Sequence, residues 1–185
     1  GGYVVSIGDI SVSPGDLPYA ERFARAEESE VRCYDETAGD KMRARIREIM
    51  QARDTLGGII EVVALGLPPG LGSHVHFDRR LEGQIGAAIL SVQAIKGVEF
   101  GPAFENTRLP GTQVHDAILR NGDSLIRPTN RAGGIEGGIS TGQPLLVRAA
   151  MKPIATTLTP QRTVDLSTGE MVDTRYERSD FCPVS

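Results

Sequence analysis

Tryptophan is missing from this chain, and aromatic residues of all kinds make up only 5% of it. Its core must therefore be filled by Ile, Leu, Val and Ala. Cysteine is nearly as scarce. Cys33 and Cys182 stand far apart, with no C-x-x-C or Cys/His spacing, so the expectation is free thiols in a reducing cytoplasm and no metal. No stretch approaches the roughly 18 apolar residues needed for a membrane-spanning helix. Positive charge is not in excess either: the net charge of −4 argues against a nucleic-acid surface. A starting Met and a signal-like apolar segment are also lacking. Gly1 and Gly2 run straight into a strand pattern, which reads as a cut made inside a longer protein.

What is present is ordinary for a globular protein: 185 residues, 39% hydrophobic and 24% charged, enough for a single domain over residues 1–185. Residues 3–10 (YVVSIGDI) read as a strand stopped by Gly8 and Asp9. A short helix is expected over 19–31, then a clearer one with Met42, Ile46, Ile49 and Met50 on one stripe. Asp35 or Thr37 is positioned to cap its start, and Gly57 and Gly58 to end it. The basic run Lys41, Arg43, Arg45 and Arg47 reads as a solvated face, with an anion site as the other possibility. Residues 58–67 form a nearly continuous apolar run, the pattern of a strand buried on both sides.

Asp78 is expected to cap a helix running to about Lys96, apolar almost all round from Ile85 to Ile95. A helix without a polar face needs cover on every side. A strand begins at Val98, residues 102–127 read as a loop with a weak hairpin, and LLVRAAM (145–151) is another strand. Residues 163–166 and 171–174 flank a turn and predict a further hairpin. The whole is α+β with much antiparallel pairing.

The densest signal is TNRAGGIEGGISTGQP, residues 129–144, with Gly133, Gly134, Gly137, Gly138 and Gly142. Glycine costs a helix or strand about 0.5–1 kcal/mol per residue relative to alanine, so such clustering marks a bent or closely approached backbone. It fits neither the P-loop pattern nor G-x-G-x-x-G after a strand. Two readings stand. The freed N–H groups can cradle phosphate oxygens, with Lys152 and Arg178 supplying positive charge; alternatively, the glycines serve tight packing between layers.

KPIAT (152–156) follows the run, and RSD (178–180) stands near the end. With VVALGLPPGLG (62–72), FDRRL (77–81) and SVQAIKGVEFG (91–101) upstream, these segments resemble chorismate synthase, in that family's order and over almost the whole chain. The resemblance implies a β-α-β sandwich, with helices packed between antiparallel sheets. It implies a lyase of aromatic amino acid biosynthesis: a 1,4-anti elimination of phosphate from 5-enolpyruvylshikimate 3-phosphate giving chorismate. Reduced FMN (FMNH2) is implied as cofactor, with NADP associated, in a cytoplasmic homotetramer. It assigns Gln93, Ala94 and Gly137 to flavin contact, and Lys152, Pro153, Ile154, Ala155 and Thr156 to the loop around the FMN phosphate and ribityl chain. Arg178 is assigned to flavin or substrate. Gln93 stands where an asparagine is common, with the amide retained.

Asp180 is the catalytic candidate. The resemblance places its carboxylate beside the flavin, assisting proton movement; the alternative is a structural bond to Arg178 or to backbone. The family's two catalytic histidines have no counterpart. His74 and His76 flank Val75 and His115 lies in the weakly patterned loop, all read as surface or satisfied residues. The expectation is therefore the central and later part of the enzyme, inactive by itself. Two alternatives are a non-catalytic core or assembly fragment and an unrelated flavin-binding module.

Overall fold

The computed structural model describes residues 1–13, 15–175 and 180–184. In chain order these form β1 (Gly2–Ile7), β2 (Ile10–Ser11), α1 (Tyr19–Glu28), α2 (Glu36–Ala52) and β3 (Gly58–Ala64). After a 3-10 turn at Phe77–Arg79 come α3 (Leu81–Leu90), β4 (Ile95–Phe100), α4 (Ala103–Asn106) and α5 (Gly111–Val114). Then follow β5 (Leu119–Asn121), β6 (Ser124–Ile126), β7 (Ile135–Glu136), β8 (Ile139–Ser140), β9 (Leu145–Met151), β10 (Arg162–Val164) and β11 (Met171–Asp173). The fold is α+β, and the four hairpins, β1/β2, β5/β6, β7/β8 and β10/β11, are antiparallel. The chain divides into two compact units. One holds Gly1–Gly2 and Ile60–Ala150, the other Tyr3–Ile59 and Met151–Ser185.

In the unit of residues 3–59 and 151–185, the expected single strand at 3–10 is a hairpin. Gly8 takes a left-handed φ of 55°, which reverses the chain so that Ser6 pairs Ser11 and Ile7 pairs Ile10. Three of the few aromatic residues gather here: the Arg22 guanidinium of α1 lies 5.0–5.9 Å from the rings of Tyr3, Tyr19 and Tyr34. Helix α2 starts as its sequence predicts, with the Asp35 side chain accepting from the Ala38 amide at 2.8 Å. It stops earlier than Gly57, because Arg53 adopts the left-handed conformation at φ 61°. Met42 is buried, Ile46 and Ile49 are half-buried, and Met50 is exposed. The basic residues of α2 face solvent: Arg45 pairs with Asp9 and Glu48, and Arg43 with Asp40 and Glu30.

In the unit of residues 60–150, three strands run in the order β3-β9-β4. The expectation that the 58–67 strand is buried on both sides is overturned. Glu61 and Val63 point inward while Val62 between them is 46% exposed, the alternation of a strand with one covered face. Glu61 is matched by Arg148 of β9 at 2.6 Å, and Arg148 reaches Glu99 of β4 at 3.8 Å. Continuous hydrophobicity failed as a guide because the apolar Val62 and Leu65 stand exposed while the inward position of Glu61 is charged.

Helix α3 also differs from expectation. Asp78 lies in the 3-10 turn rather than at a cap, and the helix ends at Leu90. It packs Leu81, Ile85 and Ile89, spaced i, i+4 and i+8, against a core of Ile135, Leu145 and Val147 with Val98 and Phe100. No residue of α3 is fully buried, and Leu90 is exposed. Its apolar circumference is thus covered on one side by the described residues, not on every side.

Candidate functional site

The glycine run folds into the β7/β8 hairpin, in which Ile135 pairs Ser140 and Glu136 pairs Ile139 across Gly137 and Gly138. The packing and ligand readings divide between its glycines. A Cβ at Gly133 would overlap the backbone of Gly101, one at Gly134 would sit 2.5 Å from the Pro144 carbonyl, and one at Gly138 2.5 Å from the Ser73 carbonyl. These three serve close approach. Gly137 is different: a Cβ there would meet nothing within 4 Å, although its φ is 61°. Its backbone is open to the outside, and its positive φ is what the two-residue turn between β7 and β8 requires.

The run is held at its start by a residue that sequence reasoning missed. Asp116 is buried and accepts from the Thr129 hydroxyl at 2.5 Å, the Arg131 amide at 2.8 Å and the Ala132 amide at 2.9 Å. Burial alone would push its carboxyl up. The three hydrogen bonds and the Arg127 charge outweigh that and hold it below the usual carboxylate range. Arg127 in turn makes a two-pronged pair with Glu136, at 2.8 and 3.0 Å, beside Gly137. The Asp116 partners lie 13–16 positions downstream, outside any local motif. No sequence signal separates it from Asp123, which stands nearer to the T-N-R-A that opens the run.

Gln93 and Ala94 occupy the turn between α3 and β4. Gln93 is exposed, and Ala94 holds a left-handed φ of 68°, one of three non-glycine residues with positive φ among the described residues. Such strain persists only where surroundings fix it and is common at functional sites. The Leu81 amide at the start of α3 donates to the Gly138 carbonyl at 3.0 Å, so the hairpin turn lies at the helix N-terminal end. Ten residues at 1.5 Å each put Gln93 and Ala94 about 15 Å away, at the other end.

In the other unit, KPIAT leaves β9 as a segment without regular structure. Lys152, Pro153, Ala155 and Thr156 are exposed and Ile154 is half-buried. The Thr55 hydroxyl donates to the Ile154 carbonyl at 2.7 Å. Asp180 is exposed, and the Leu56 amide donates to the carbonyl of its neighbour Phe181 at 2.8 Å. Both segments are thus tied to the residues following α2. Arg178 lies outside the described residues. Clefts of about 420 and 460 Å³ open beside Arg25, Tyr34 and Glu36, and neither is lined by residues 152–156 or Asp180. His74, His76 and His115 are exposed, and no cluster of metal-ligating side chains occurs among the described residues. No described helix is long and apolar enough to cross a membrane.

Comparison with known proteins places these features in a family. A family model described as chorismate synthase matches residues 1–185, and the chain belongs to that family. It is 48% identical over 192 residues to the chorismate synthase of Trichlorobacter lovleyi, an alignment covering 100% of this chain and 49% of that one. It is 50% identical over 193 residues to the chorismate synthase of Chlorobaculum parvum, covering 100% and 47%. A crystal structure of chorismate synthase matches with a TM-score of 0.78 at 44% identity, covering 84% of this chain and 49% of that one. The chain spans about half the length of the curated relatives it matches.

Proposed function

We propose that this chain contributes the flavin-binding part of a chorismate synthase. That enzyme eliminates phosphate from 5-enolpyruvylshikimate 3-phosphate to give chorismate, in the cytoplasm and as a homotetramer. The observation that carries the reading is the exposed KPIAT segment without regular structure, taken with a family match over residues 1–185. Lys152 presents an ammonium to solvent, and its neighbours offer backbone to a phosphate rather than to a ladder. The open backbone at Gly137 fits a planar ring laid against it better than it fits packing.

Reduced FMN, when bound, supplies an electron transiently so that the reaction proceeds without net redox change. The chain's own residues bind and orient. Family membership assigns Lys152 through Thr156 to the FMN phosphate and ribityl chain, and assigns Gln93, Ala94 and Gly137, on their own unit, to flavin contact. Arg178 grips flavin or substrate, and the Asp180 carboxylate takes up a proton beside the flavin. His74, His76 and His115 match neither catalytic histidine motif of the family, so these 185 residues by themselves give no turnover.

The test is a flavin titration of a full-length family chain carrying these residues. Lys152→Ala should weaken FMN binding by about 1.5–3 kcal/mol, the value of a charge-assisted bond. An unchanged dissociation constant would return KPIAT to a packing role.

A further inference from the structure

KPIAT and Asp180, assigned to flavin and to proton transfer, lie outside helices and strands, yet one loop fixes the first and the neighbour of the second. It is residues 53–57, between α2 and β3. Thr55 is buried, and its hydroxyl donates to the Ile154 carbonyl at 2.7 Å. Arg53, in the left-handed conformation, turns its carbonyl to Thr159, which donates from its amide at 3.2 Å and its hydroxyl at 3.3 Å. The amide of buried Leu56 holds the Phe181 carbonyl at 2.8 Å, one residue past Asp180. Gly57 has no room for a side chain: a Cβ there would overlap the Met151 carbonyl and lie 2.9 Å from Pro153 Cδ. All but the Thr159 contact fall on or beside KPIAT or Asp180.

We infer that residues 53–57 are a positioning loop for the cofactor, with Thr55 as the side chain that fixes KPIAT. The inference rests on the reading of KPIAT as the FMN phosphate segment. The physical argument is preorganisation. An exposed, irregular segment that must close on a phosphate loses conformational freedom in doing so, and tethering its backbone beforehand removes part of that cost. Thr55 is suited to this because it bonds the carbonyl at the middle of the segment, leaving the Lys152 side chain and the outward backbone groups for a ligand. Thr55 reaches KPIAT through a backbone carbonyl, so its effect on binding runs through that segment.

The experiment is an FMN titration, followed by absorbance and fluorescence, of a full-length family chain as wild type, Thr55→Val, Thr55→Ser and Lys152→Ala. Thr55→Val keeps the shape and removes the donor. It should raise the FMN dissociation constant about threefold to tenfold, the effect of one neutral hydrogen bond, and alter the visible spectrum of bound flavin. Thr55→Ser restores the hydroxyl and should stay within about twofold of wild type on the same scale. A Thr55→Val protein that melts earlier yet binds FMN like wild type would overturn the inference, as would a serine variant as weak as the valine one. Lys152→Ala separates the two readings. If it binds as tightly as wild type, the flavin-site reading fails and takes this inference with it. If it weakens binding and Thr55→Val does not, only the positioning loop fails.

Discussion

Gly137 and Gly138 are adjacent in sequence and both left-handed, with φ of 61° and 93°, but they differ in what surrounds them. At Gly138 an added methyl would meet the Ser73 carbonyl at 2.5 Å and Arg80 Cγ at 2.9 Å. Gly138→Ala therefore combines backbone strain with overpacking and should cost about 2–4 kcal/mol in denaturant unfolding. At Gly137 only the strain remains, so Gly137→Ala should cost about 1 kcal/mol. The second variant should nevertheless bind FMN more weakly, since its methyl occupies the face assigned to flavin. Equal losses of stability at the two positions would contradict this division. The sequence shows both glycines but not their difference, because that depends on Ser73 and Arg80, more than fifty positions upstream.

Local chemistry made the elements legible where it sets their limits. Asp35 caps α2 as its residue type predicts, Leu145–Met151 is a strand at its expected bounds, and the hairpin around Gly169 forms. The errors fall where non-local partners decide. The strand carrying Glu61 looked buried on both sides because the arginine that satisfies it stands 87 positions away. The α3 circumference looked enclosed, although the described residues cover one side of it. Asp116 is the clearest case, since its role is to hold the segment that leads into β7. Its folded pKa is depressed, so its contribution is complete above the ordinary carboxylate value of about 3.9 and fades as pH falls from there through the native value. Asp116→Asn should lose about 1–3 kcal/mol at pH 7, with the difference from wild type narrowing on acidification below about pH 4. A difference that stays constant down to pH 3 would show that the charge is immaterial.

At the scale of the whole molecule, the candidate residues split between the two units. Gln93, Ala94 and Gly137 belong to the one of residues 60–150, while KPIAT and Asp180 belong to the other. Their proposed common purpose comes from family membership rather than from any local pattern, and so it was legible only through the motifs. The same holds for turnover. General acid–base groups contribute about 10²–10⁴-fold each, and the proposal that these 185 residues give no turnover rests on two catalytic histidines that the resemblance implies and that His74, His76 and His115 do not match. The most direct test is phosphate release from 5-enolpyruvylshikimate 3-phosphate by a full-length family chain carrying these residues, as wild type and as Asp180→Asn. The account predicts release that requires reduced FMN, and an Asn variant whose kcat falls about 100-fold or more while its Tm stays nearly fixed. Release without flavin, or an Asn variant that loses stability but keeps near-normal kcat per folded molecule, would contradict it.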